Sequence, residues 1–195
     1  MKNIFFLIVV IATFTGCSKP FPYKYQDSKQ IIECKGLDND LAHEAYYSFR
    51  EDIALYAYKN HFTNHKKDYN LSLGYFIYNG AAGIADFKNI VSPHTLTVLE
   101  KLKQNDQLWE SNSKISNTNY HSEFIDCLIQ NIKNSELKET ILSLRGTNSL
   151  SPKILSEKYR ILINEANDDE YFAMFIAFET YYQYLFDIDF SEKKN

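Results

Sequence analysis

His61 and His65 stand four residues apart, the spacing that puts two imidazoles on one helical face as zinc ligands. A zinc centre wants at least a third ligand, and only Asp68 lies near at a helical spacing. The stretch from His61 to Asp68 is polar and reads as a connection, so surface histidines explain the pair better than a metal site does. His43-Glu44 opens as a zinc-protease helix would, but Tyr47 stands where the second histidine is required. Di-iron bundles carry Glu-x-x-His on two helices, and the chain contains no such tetrad.

Carboxylates offer the next chemistry. Glu44 with Glu51, or Glu123 with Asp126, could serve a glycosidase if a cleft separated the two acids. Acids at such spacings are equally the ordinary solvated face of a helix. Gly80-x-x-Gly83 lacks the lysine and hydroxyl residue of a phosphate loop, and no Gly-x-Ser-x-Gly elbow is present. Ser92 and Ser151 each precede a proline and are explained as helix caps. No cofactor is implied, and a binding role stands ahead of an enzymatic one.

The strongest motif lies at the start. Lys2 supplies a positive charge, and Ile4 to Phe14 form an apolar run too short to span a bilayer. Phe14-Thr15-Gly16-Cys17 closes it with two small residues and a cysteine, which resembles the lipobox of a bacterial lipoprotein signal peptide. The resemblance implies removal of residues 1–16 and acylation of Cys17. Two or three acyl chains anchor stably, each buried methylene contributing about 0.8 kcal/mol. Ser18 after the cysteine resembles the sorting pattern for the outer membrane, so the expected location is the cell envelope, facing the periplasm. Two prolines and no periodicity make 17–27 a tether of at most about 35 Å.

With Cys17 taken by lipid, Cys34 and Cys127 remain as a pair in an oxidising compartment, and a disulfide is expected between them. It would close a loop of about 94 residues, for which the chain-entropy model gives on the order of 4–5 kcal/mol. Residues 28–195 suit a single domain. The formal net charge of −4 argues against a nucleic-acid partner, which would want a basic face.

The elements read as helices almost throughout, giving an all-α, irregular bundle of six to seven helices. Asp38 or Asp40 caps a first helix to about Asn60, with Ala42, Ala45, Tyr46, Phe49, Ile53 and Tyr56 inward and Glu44, Glu51 and Asp52 off that stripe. Leu71 to Phe87 is apolar nearly all round, and its Gly80-Ala81-Ala82-Gly83 suggests close helix approach in a central helix. Further helices are expected from Ser92-Pro93 to near Trp109, from about Tyr120 to Lys133, from a Ser135 cap to a Gly146 stop, after Ser151-Pro152, and from about Glu170 to Phe186. Ser111 to Asn119 reads as a loop.

Fifteen tyrosines and fourteen phenylalanines against one tryptophan are the compositional oddity. Tyrosines crowd the first, second and last helices, and both faces of the first carry them. Tyr47 and Tyr58 with Arg50 are therefore the candidate partner surface. The expectation is a membrane-anchored binding or adaptor lipoprotein with a protein partner. The alternatives are an immunity-type lipoprotein neutralising a toxin and, behind it, a hydrolase of envelope polymers.

Overall fold

Short polar side chains start nearly every helix. The computed structural model describes residues 21–61, 68–110 and 116–191. Asp38 accepts from the Leu41 N–H at 2.9 Å and opens α1 (Asn39–Asn60), and Asp68 does the same for Leu71 at 3.1 Å before α2 (Tyr69–Ala81). A single turn, α3 (Phe87–Ile90), leads to α4 (Pro93–Leu102), capped by Ser92 with Pro93 at the first helical position. Ser122 opens α5 (Glu123–Asn131), Asn134 opens α6 (Ser135–Gly146), and Ser151 opens α7 (Pro152–Ile161). Asp169 caps α8 (Glu170–Ala177), which continues through a π-turn (Phe178–Tyr182) into α9 (Gln183–Phe186). The described residues contain no strand, only one isolated bridge between Trp109 and Thr118.

The all-α reading is correct, and three boundaries differ for physical reasons. The apolar stretch from Leu71 to Phe87 is not one helix: α2 ends at Ala81, and α3 begins only at Phe87. Gly83 adopts φ +73°, and a side chain there would meet the Tyr184 ring at 2.7 Å. Gly80 makes room for the Phe76 ring of its own helix, not for a neighbouring helix. The helix after Pro93 stops at Leu102 instead of reaching Trp109, and the Trp109 indole N–H donates to the Leu102 carbonyl at 2.8 Å, filling one of the terminal acceptors. Asn134, not Ser135, caps α6, and the left-handed residue beyond it is Asn148 at φ 52°.

The central helix is the last one. Phe172, Ala173, Met174, Phe175, Ile176, Ala177, Phe178, Tyr181, Tyr182 and Leu185 are all buried, whereas α2 leaves one face in solvent. Burying a helix on every side also buries its polar atoms, each of which needs a partner. Tyr181 donates its hydroxyl to Asp52 at 2.8 Å, and Tyr182 donates to the Ala45 carbonyl at 2.7 Å. Asp52 accepts in addition from the Ser92 N–H at 3.0 Å and the Thr95 hydroxyl at 2.6 Å. Asp52 and Glu44, which the helical stripe leaves outside, are both buried, because α1 packs against α2, α4 and α8.

Glu179 lies in the π-turn, wholly buried, accepting from the Tyr120 hydroxyl at 2.7 Å and from the Tyr159 hydroxyl. The extra residue of a π-turn shifts the helical phase of the residues after it. Tyr181 and Tyr182 thereby reach α1 while Glu179 turns to Tyr159 on α7 and to Tyr120 before α5. A disulfide joins Cys34 to Cys127 with the Cα atoms 5.8 Å apart, tying the chain ahead of α1 to α5.

Burial pushes the Glu179 carboxyl up to about 7, against the pull of its two tyrosine donors. An acid whose folded pKa is raised contributes stability that is complete below its unfolded value. That contribution falls away as pH climbs from the unfolded value and is lost once pH passes about 7. Glu179→Gln keeps an acceptor and removes the titration. Urea denaturation from pH 5 to pH 8 is therefore expected to show the wild type losing on the order of 2–3 kcal/mol relative to the variant. Parallel pH dependence in the two proteins would contradict this placement of the charge.

Candidate functional site

The chain from Phe21 onward forms no helix before α1, yet it is fastened rather than free. The Glu44 carboxylate accepts the Lys24 N–H at 2.7 Å and the Tyr25 N–H at 3.1 Å, and His94 on α4 meets the same carboxylate at 2.5 Å. His43 donates from Nε2 to the Tyr25 carbonyl at 2.9 Å. Outside this clasp, Lys24 Nζ and the Tyr25 hydroxyl both reach Glu51. Burial first, and the Glu51 carboxylate second, hold the Tyr25 phenol well above its ordinary range, so it stays a donor. The region read as a tether is therefore strapped to α1 from Lys24 onward. Cys17, with the signal segment before it, lies outside the described residues.

The strap changes the expected partner surface. Tyr25 stacks on Tyr47 at 5.6 Å between centroids, and the Tyr47 hydroxyl donates to the Lys29 carbonyl at 3.1 Å. Arg50 sits 4.0 Å above the Tyr69 ring and 5.3 Å from that of Tyr46. Cation–π attraction to these neighbouring rings consumes the guanidinium within the protein. Of Tyr47, Arg50 and Tyr58, only Tyr58 stays exposed, so the three do not make one open patch.

His61 is drawn into aromatic packing, its ring 4.1 Å from that of Tyr75 and its Nδ1 3.2 Å from the Tyr75 hydroxyl. His65 lies outside the described residues. Among those described, no three or more His, Cys, Asp or Glu residues are grouped to hold a metal.

Among the described residues, most exposed large apolar side chains lie on α2 or just past it, besides Tyr58 on α1 and Ile154 and Ile161 on α7. Buried Leu73, Phe76, Ile77 and Gly80 define its inner face. Leu71, Gly74, Tyr75 and Tyr78 succeed one another on the outer face at helical spacing, with Ile84 just past the end. Tyr78 and Ile84 are 71% and 70% exposed, high values for large apolar side chains with buried alternatives nearby. The helix contains no charged residue at all. A side chain added at Gly74 would meet nothing within 4 Å, so this glycine is a notch in the outer face. Beside the stripe, Tyr56, His61, Tyr75 and Phe76 line a shallow pocket that reaches Ile53 and Ile90. The sequence signal was present: thirteen residues without a charge cannot supply the polar outer face that a bundle helix ordinarily has.

Comparison with protein-family models, with curated proteins and with solved structures returned no match.

Glu44→Gln would retain one acceptor oxygen but lose the carboxylate that holds two strap amides and His94. Hydrogen exchange at Lys24 and Tyr25 is expected to quicken by at least about tenfold, the equivalent of one charge-assisted hydrogen bond. Unchanged exchange would mean that the ties to His43 and Glu51 and the aromatic contacts hold the strap without Glu44.

Proposed function

We propose that this chain is a lipid-anchored binding protein of the bacterial cell envelope, fixed through acyl chains on Cys17, that engages an envelope protein with the outer face of α2. The observation that carries the reading is the charge-free stripe of Leu71, Tyr75 and Tyr78, extended by Ile84. Monomeric proteins rarely leave a contiguous apolar surface of this kind without a use for it. Tyrosines add a polar tip to each apolar body, the composition that favours protein interfaces. A helix that lies on a bilayer carries lysine or arginine along its polar edge to meet headgroups, and α2 has neither. A protein surface is accordingly the better match.

Anchoring rests on the lipobox resemblance at Cys17 and suits the strap. From Cys17 to the first clasped residue, Lys24, extended chain covers no more than about 25 Å. The strap holds the domain's attachment point beside α1, so a partner would be met close to the membrane. The Cys34–Cys127 disulfide is in keeping with an oxidising compartment. No helix among the described residues is long and apolar enough to cross a membrane.

A photo-crosslinking side chain at Tyr78 tests the surface, with one at exposed Glu139 on α6 as the control. Irradiation of native envelopes is expected to give one discrete protein adduct from position 78 and none from 139. Tyr75→Asp in the same chain is expected to abolish the adduct. Adducts to phospholipid, or equal labelling from both positions, would overturn the reading. Cys17→Ser is expected to move the protein from the membrane fraction to the soluble one, and retention in the membrane fraction would dismiss this anchor.

A further inference from the structure

The buried Glu179 carboxyl belongs to a closed circuit of hydrogen bonds that reaches the stretch ahead of α5. Its Oε1 meets the Tyr120 hydroxyl at 2.7 Å, and the same hydroxyl lies 3.0 Å from the Ser116 Oγ. Ser116 donates in turn to the Gln183 side-chain oxygen at 2.7 Å, and the Gln183 amide nitrogen returns to the Glu179 carbonyl. We propose that residues 116–120 are a pH-sensitive latch, fully fastened while Glu179 holds a proton and loosened once that proton leaves.

Counting hydrogens separates two states of the circuit. A phenol has one hydrogen, so Tyr120 cannot donate to Glu179 and to Ser116 at once. With Glu179 protonated at Oε1, the acid donates to Tyr120, Tyr120 to Ser116, and Ser116 to Gln183. Every link is then made. With Glu179 ionised, the carboxylate only accepts, and Tyr120 must turn its hydrogen back to it. Ser116 gives up the Tyr120 donor, and the stretch loses one of its ties to the core. The Tyr159 hydroxyl offers no second relay, because among the described residues it meets only Glu179.

The groups that face the acid are neutral. Tyr159 comes from α7, Tyr120 from ahead of α5, and Tyr184 from α9. Burial first, and the Glu179 charge next, keep all three phenols protonated. α2 packs against the π-turn and contains no charged residue. α5 turns Phe124 to Phe178 of the π-turn, and Asp52 of α1 is engaged by Tyr181. The one charged residue of α8, Glu170, lies in its first turn and pairs with Lys29. Burial pushes the acid up to about 7, so the proton is held on the acid side of that value and lost on the alkaline side.

Loosening is local. Asn117 keeps its bonds to the Gln183 carbonyl at 3.2 Å and to Asp187 at 2.5 Å, and Arg145 keeps the Tyr120 carbonyl at 3.3 Å. The stretch is also paired with 108–110. The Asn119 N–H donates to the Leu108 carbonyl at 2.9 Å, and the Glu110 N–H donates to the Asn117 carbonyl at 2.8 Å. Trp109, the single tryptophan of the chain, bridges Thr118 in this pairing and so reports on the latch.

Tryptophan emission of the purified protein, titrated between about pH 5 and pH 9, tests the latch. One transition with its midpoint at about 7 is expected. Glu179→Gln both donates and accepts at every pH, as the protonated acid does, and is expected to abolish the transition. Ser116→Ala removes the far end of the relay but keeps the acid and its two tyrosines. The emission transition should be lost there, while the pH dependence of urea stability that belongs to Glu179 remains. A merely structural Ser116 would leave the transition in place, and that would overturn the latch. A flat wild-type profile, or a transition that survives Glu179→Gln, would overturn it as well.

Discussion

A carboxyl group sealed from water, Glu179, is the constraint around which the rest of the domain is arranged. Burying an acid without donors is prohibitive, so its place on the central helix obliges Tyr159 of α7 and Tyr120 before α5 to point inward. Further along the same helix the pattern repeats: Tyr181 and Tyr182 cross to Asp52 and to the Ala45 carbonyl on α1. The apolar surface of α8 drives its burial, and these polar ties fix its rotation and depth. Swapping any one partner leaves a buried polar atom unpaired, which is how a helix of interchangeable aromatics acquires a single seating.

The same logic extends outward from the core. Tyr120 joins the buried acid to the stretch before α5, its hydroxyl meeting both Glu179 and Ser116. At the other end, Asp52 holds the start of α4 through Ser92 and Thr95, and α4 presents His94 to Glu44. Glu44 in turn grips the strap. The strap covers Tyr47, leaving α2 as the helix whose aromatic side is uncovered. Three acids thus stand at the junctions of the structure, and each is occupied by named donors.

Much of the architecture was legible in the sequence because caps are local. Ser92 and Ser151 each mark a helix start with a side chain, Asp38 is one of the two caps the sequence offers for α1, and the pairing of Cys34 with Cys127 came from counting thiols. What failed was the ranking of helices by apolarity. Leu71 to Phe87 and Glu170 to Phe186 look alike in composition, and only tertiary packing decides which is enclosed. The buried roles of Glu44 and Asp52 were hidden for the same reason, since an acid off the apolar stripe is normally solvated and here meets a second packing face. Arg50 and Tyr47 looked like an exposed pair because the strap that covers them has no periodicity to announce it.

The proposed arrangement is a domain anchored ahead of its strap, with an aromatic docking face on α2. Its most direct test is hydrogen exchange along the backbone of the wild-type protein in native envelopes, compared with Cys17→Ser, the variant in which the proposed anchor is removed. Docking through α2 should slow exchange at 69–84 in the membrane-held protein, with 135–146 on α6 unchanged. Equal exchange at 69–84 in the two preparations would contradict it.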